Sequence, residues 1–114
     1  MSAQLVDSLH AAGAISNLDR CFARLMARLA GSGDGALALA AALVSRASAE
    51  GDICLDLARL AGGSISAGET VFRCPDLEPW VSSLRKSAVV GAPGDWRPLV
   101  LDGTRLYLHR HWDA

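Results

Sequence analysis

His109 and His111 are one residue apart and would share a face of a strand. A zinc site needs about four ligands. The others would have to come from Cys54, Cys74 or an Asp, and the pattern does not supply them. Solvent-facing or interface histidines are therefore expected. A reactive thiol needs a neighbouring base and a lowered pKa. The settings Arg20-Cys21-Phe22 and Ile53-Cys54-Leu55 predict that the first two cysteines fill the core, while Cys74 stands beside Pro75 in an expected loop. Glu50, Glu69 and Glu78 are scattered at element edges and form no acid–base pair. Gly31-Ser32-Gly33-Asp34-Gly35 is rich in glycine, but no apolar strand precedes it, and the lone lysine is Lys86. No Gly-x-x-x-x-Gly-Lys-[Ser/Thr] run, Gly-x-Gly-x-x-Gly, His-Glu-x-x-His or Gly-x-Ser-x-Gly occurs. The residues thus predict no catalytic centre, metal or bound cofactor in this chain.

What remains is binding chemistry. Arg20, Arg24 and Arg28 recur at helical spacing, and read as a solvated face or as a track for phosphates. Arg85 and Lys86 are candidate nucleic-acid contacts at the end of an expected helix. The three tryptophans are an unusual investment in a chain with 5% aromatic residues. Trp80 fits a core. Trp96 and Trp112 are interface or junction residues, because aromatic and arginine side chains are enriched where proteins meet. With Arg105, Tyr107 and His109 they form the candidate partner surface.

The elements that must position these groups are mostly helical. Leu5, Val6 and Leu9 predict a helix over 3–12, with Ser2 as cap and Gly13 as stop. Ser16 and Asp19 make a capping-box variant at the start of a helix over 17–30. Its expected buried stripe is Leu18, Phe22, Leu25, Met26 and Leu29. Asp34 would cap the segment 36–49, whose first nine residues carry no polar side chain. A helix apolar all round belongs in the middle of a bundle, with Leu37, Leu39, Leu43 and Val44 in the core.

Ile53-Cys54 reads as a very short extended piece and 56–61 as one or two helical turns with Leu57 and Leu60 inward. Residues 62–76 are expected to be irregular, with Val71 and Phe72 tucked onto the core. Asp76 would cap a helix over 77–86 whose stripe is Leu77, Trp80, Val81 and Leu84, with Pro79 tolerated in its first turn. Val89-Val90 suggests a short strand. Residues 99–108 then read as a hairpin with a type I′ turn at Asp102-Gly103, Leu101 opposite Thr104 and Leu99 opposite Leu106. Leu99, Leu101, Leu106 and Leu108 share one face. Val100, Arg105, Tyr107, His109 and His111 take the other.

The expected fold is therefore mainly α with a small C-terminal β-hairpin: one domain over 1–114, helical over 1–50, with a winged-helix-like order over 36–112. At 114 residues and 51% hydrophobic content, one core is affordable and two are not expected. The balance of 11 basic and 12 acidic residues, net −1, argues against a strongly basic nucleic-acid binder. Three widely spaced cysteines make no disulfide framework and fit reduced thiols in the cytoplasm. No signal peptide is visible, and the longest apolar run, 36–44, is too short to span a bilayer, so no membrane partner is expected. The stop at His111-Trp112-Asp113-Ala114, just after a strand, suggests a domain cut from a longer chain.

Four blocks in order carry a resemblance. They are Leu18-Asp19-x-x-Phe22-Ala23, the run Leu37 to Ser45, Glu50-Gly51-Asp52-Ile53-Cys54-Leu55, and Pro98 to Leu108 continued by Arg110 and Trp112. Together they resemble the N-terminal domain of the alpha subunit of exodeoxyribonuclease V, the RecD family, over about residues 5–112. The family's full chains continue into an ATP- and Mg-dependent 5′-to-3′ DNA helicase motor, whose phosphate loop lies beyond this domain. The resemblance implies a non-catalytic domain that contacts the gamma subunit, with DNA reached through the full complex. Asp52 departs from the family, where a His is expected, and puts any partner contact at that position in doubt. The residues leave two other readings open: a winged-helix DNA binder using Arg85 and Lys86, and a free-standing regulatory or structural protein that self-associates.

Overall fold

The computed structural model describes residues 2–31, 35–67 and 70–109. Five helices and two sheets lie among them: α1 Ser2–Ala11, α2 Asn17–Ala30, α3 Gly35–Ala49, α4 Leu57–Leu60 and α5 Leu77–Arg85, with β1 Leu55–Asp56, β2 Ser64–Ala67, β3 Thr70–Arg73, β4 Val90–Gly91, β5 Leu99–Asp102 and β6 Arg105–Leu108. The larger sheet has the order β1-β6-β5-β4, antiparallel except for the parallel β4–β5 pair.

α3 is the hub. Every residue from Leu37 to Val44 is buried, as a helix without a polar face requires. α1, α2, α5, β1 and β6 all pack on it. Its alanines let backbones approach closely, and the Trp80 indole Nε1 donates to the Ala36 carbonyl at 3.0 Å, tying α5 to its first turn. The leucine side of the hairpin is buried with the same cluster.

α2 begins at a complete capping box. Asp19 N donates to Ser16 Oγ at 3.1 Å, and Ser16 N donates to Asp19 Oδ2 at 3.0 Å. Gly31, at φ 66°, stops it. The buried face, however, is Asp19, Ala23 and Met26, with Phe22 and Ala30 partly covered. Leu18, Leu25 and Leu29 are exposed, contrary to the expected stripe. The reason is proximity: small side chains allow α1 and α3 to close on that face, and the Ser45 hydroxyl donates to Asp19 Oδ1 at 2.6 Å.

The hairpin register also differs from expectation. Asp102 pairs with Arg105, Leu101 with Leu106 and Leu99 with Leu108. Gly103 and Thr104 are therefore the central turn residues. Gly103 has φ 62°, and no residue other than glycine has positive φ among the described residues. A type I′ turn needs positive φ at both centres; one positive φ, on a first-position glycine, is the type II′ pattern. Val100, assigned to the outer face, is fully buried opposite half-buried Tyr107.

Other corrections are local. The extended piece is β1 at Leu55–Asp56, and Ile53 is exposed. Residues 64–73 form an antiparallel ribbon instead of an irregular connection, with Ile65 opposite Phe72. Both are half-buried against the core, while Val71, on the other side of the ribbon, is exposed. Asp56 caps α4 through Ala58 N at 3.1 Å, whereas Asp76 precedes α5 without a side-chain cap bond. Ser2 lies within α1 instead of before it. Asp34, His111 and Trp112 lie outside the described residues.

Candidate interaction surfaces

Two open grooves hold most of the residues singled out in the sequence. The first runs between α2 and the end of the hairpin. Leu18, Phe22, Ser45, Pro98, Leu108 and His109 line about 320 Å³ there. His109 N donates to the Pro98 carbonyl at 3.0 Å, extending the β5–β6 ladder by one step. Trp96 is 85% exposed, and its ring centroid lies 4.8 Å from that of His109.

The loop before β5 holds Trp96 out. Asp95 N donates to the Ala92 carbonyl at 3.0 Å and Ala92 N to Asp95 Oδ2 at 2.8 Å, closing the turn Ala92-Pro93-Gly94-Asp95. Pro93 followed by Gly94 at φ 97° is the type II sequence preference. Arg97 Nη1 donates to the Ala88 carbonyl. Gly91 is required beneath them, since a Cβ there would stand 2.6 Å from Asp95 Cβ and 2.8 Å from Arg97 Cγ.

The second groove, about 860 Å³, lies between α5 and the hairpin turn. Arg85 and Lys86 line it with Glu78, Gly103 and Thr104. Both basic residues are exposed.

The arginine line of α2 turns toward α1 at one end. Arg20 and Arg24 lie 3.7 and 3.8 Å from Asp7 Oδ1. Arg28 stays exposed, with no carboxylate partner among the described residues. The cysteines reverse their expected order: Cys21 is exposed, Cys54 half-buried and Cys74 buried. Burial pushes the Cys74 thiol pKa above its ordinary value of 9.0. No group of three or more His, Cys, Asp or Glu among the described residues is placed to hold a metal ion. None of the described helices is long and apolar enough to cross a membrane.

The model of the RecBCD enzyme subunit RecD, N-terminal domain, matches residues 11–107. The chain belongs to the RecD N-terminal domain family. Two curated relatives, each named RecBCD enzyme subunit RecD, come from Mycobacterium tuberculosis strains; one is 32% identical over 110 residues, 95% of this chain and 18% of the relative. A third, from Mycolicibacterium smegmatis, is 36% identical over 84 residues, 74% of this chain and 14% of the relative. The chain thus spans less than a fifth of the length of these relatives.

In this RecD N-terminal domain the expected partner residues separate. Trp96 and His109 meet beside the apolar groove. Arg105 sits at the hairpin turn, about 13 Å from His109 at the strand rise of roughly 3.3 Å per residue. It pairs with Asp102 on one side and Asp56 on the other, nearer the second groove. Tyr107 lies between the two ends. Sequence reasoning missed the exposure of Leu18, Leu25 and Leu29. The available signal was the competing face of α2, Asp19-Ala23-Met26-Ala30, at equally good helical spacing.

Proposed function

We propose that this RecD N-terminal domain is a non-catalytic docking module. It joins the alpha subunit of a DNA-end-processing helicase–nuclease to the gamma subunit, in cytoplasmic double-strand break repair and recombination. ATP, Mg and the motor belong to the rest of the longer chain, and DNA is reached through the assembled complex. The observation that carries this reading is exposed Trp96, whose ring meets that of His109 in a tilted contact (4.8 Å, 33°) beside the apolar groove that His109 lines. A large aromatic held out by a braced loop is the kind of anchor that dominates protein interfaces. Co-purification and titration of the 114-residue chain with the gamma subunit test it. A Kd of about 10 μM or tighter is expected, weakened about tenfold by Trp96→Ala. No detectable binding by the unmodified chain would overturn the proposal.

A second reading, a winged-helix DNA-binding module, is favoured by one observation. From α3 the order is α3, β1, α4, β2, β3, α5, β4, β5, β6, with β6 between β1 and β5; this supports a winged-helix order into which the β2–β3 ribbon and the parallel edge strand β4 are inserted. In that reading α5 is the recognition helix and the turn at Gly103-Thr104 the wing. It expects salt-dependent affinity for duplex DNA that falls when Arg85 and Lys86 are both replaced by Ala. Equal affinity of the double variant, or none in the parent, counts against it.

A further inference from the structure

Arg85, Lys86 and Arg97 line a third groove, about 490 Å³, between the end of α5 and the loop that follows β4. All three are exposed, and none has a carboxylate partner among the described residues. Arg97 donates through Nη1 to the Ala88 carbonyl, a bond that holds the side chain and leaves its charge in place. The carboxylate in the lining belongs to Asp95, and its Oδ2 accepts the Ala92 amide at 2.8 Å. The whole chain carries net −1, so this positive groove is a local feature and not part of a generally basic surface.

The lining and the shape narrow the occupant. The larger apolar side chains of this groove, Val90 and Leu101, are buried. A protein partner would find no aromatic or aliphatic anchor here, whereas a phosphate backbone is held by charge without one. The cations also line a concavity. A duplex is read by a convex element that enters its groove, while a basic groove follows one strand. Arg85 and Lys86 also line the groove beside Gly103 and Thr104, so the two grooves adjoin at the end of α5. Glu78 lines only the latter.

We propose that the groove of Arg85, Lys86 and Arg97 binds the phosphate backbone of single-stranded nucleic acid. The proposal goes beyond the docking reading, because no residue lines both this groove and the one at His109. It differs from the winged-helix reading in its ligand, one strand in place of a duplex. It also needs Arg97, which lies on neither α5 nor the hairpin turn.

Fluorescence anisotropy of the 114-residue chain with a labelled oligothymidine of about 16 nucleotides, and with a duplex of equal length, tests it over a salt series. Three phosphate contacts predict that the logarithm of the association constant falls with that of salt at a slope of about −2. Arg97→Ala should weaken binding and bring the slope to about −1.4. Arg85→Ala with Lys86→Ala should weaken it about tenfold and bring the slope to about −0.7. Arg97→Lys keeps the charge and should restore the parent slope, which separates charge from the brace on the loop. Arg59→Ala, exposed on α4 and outside both grooves, should bind like the parent.

No binding of the oligonucleotide at low salt overturns the proposal and leaves docking on the gamma subunit untouched. A slope that none of the groove variants changes overturns it as well. Tighter binding of the duplex, lost with Arg85 and Lys86 but indifferent to Arg97, assigns these cations to the winged-helix reading instead. Displacement of the oligonucleotide by polyglutamate of equal charge, with equal potency, gives the groove to an acidic protein segment and also overturns the proposal.

Discussion

The Ser45 hydroxyl donates a 2.6 Å hydrogen bond to Asp19 Oδ1, joining the middle of α3 to the first turn of α2. Asp19 is 2% exposed, and its other oxygen accepts the Ser16 amide. One carboxylate therefore closes a cap and locks two helices.

Ser45→Ala leaves Asp19 Oδ1 without this donor and should lower stability by about 1–3 kcal/mol, the cost of stranding a buried acceptor. Asp19→Ala should cost more, because the cap is lost as well. Urea unfolding of both single variants and the double checks this. Strict additivity would mean that the two residues are not coupled.

The turn assignment predicts an asymmetry. Gly103→Ala places a Cβ at φ 62° and should destabilise by about 1–2 kcal/mol. Asp102→Gly should not relieve strain, because Asp102 is a strand residue paired with Arg105. Under a type I′ turn at Asp102-Gly103 the second substitution would instead stabilise. Thermal unfolding of both variants separates the two turns.

Gly91→Ala forces a methyl against Asp95 and Arg97, and should cost about 1–3 kcal/mol by overpacking. Those two side chains brace the loop that presents Trp96. Iodide quenching of tryptophan emission should therefore change with the same substitution. An unchanged quenching profile would show that the brace does not hold the ring.

The thiols should react in the order Cys21, Cys54, Cys74, following their exposure. The pH dependence has a definite sign. The Cys74 pKa is raised on folding, so the folded chain holds its proton where the unfolded chain has begun to lose it. The unfolded state then binds fewer protons, and stability falls as pH rises past the ordinary value of 9.0. Cys74→Ala should flatten that alkaline decline in urea titrations. A decline of the same slope in the variant would assign it to other groups.

Read alone, the residues determined most of the helical framework, and the reasons are local. The Ser16–Asp19 box and Gly31 delimit α2 through bonds within one turn of chain. The run 36–44 has no polar side chain and therefore has to lie at the centre. The four resemblance blocks also pointed to the family that the comparison with known domains then showed.

Tertiary structure decided what local pattern leaves degenerate. α2 carries two faces with good helical spacing, one of leucines and one of smaller residues. Which is buried depends on how closely α1 and α3 approach and on where Ser45 can reach Asp19. The hairpin keeps the same leucine face whether Leu99 meets Leu106 or Leu108, so alternation of side chains has no power to choose between them. Gly103 would take positive φ in either register; the folded chain pairs Asp102 with Arg105 and keeps Asp102 out of the positive-φ region that a type I′ turn would require of it. The meeting of Trp96 with His109 is likewise invisible along the chain, because it arises only when β5 and β6 pair and bring the loop before one beside the end of the other.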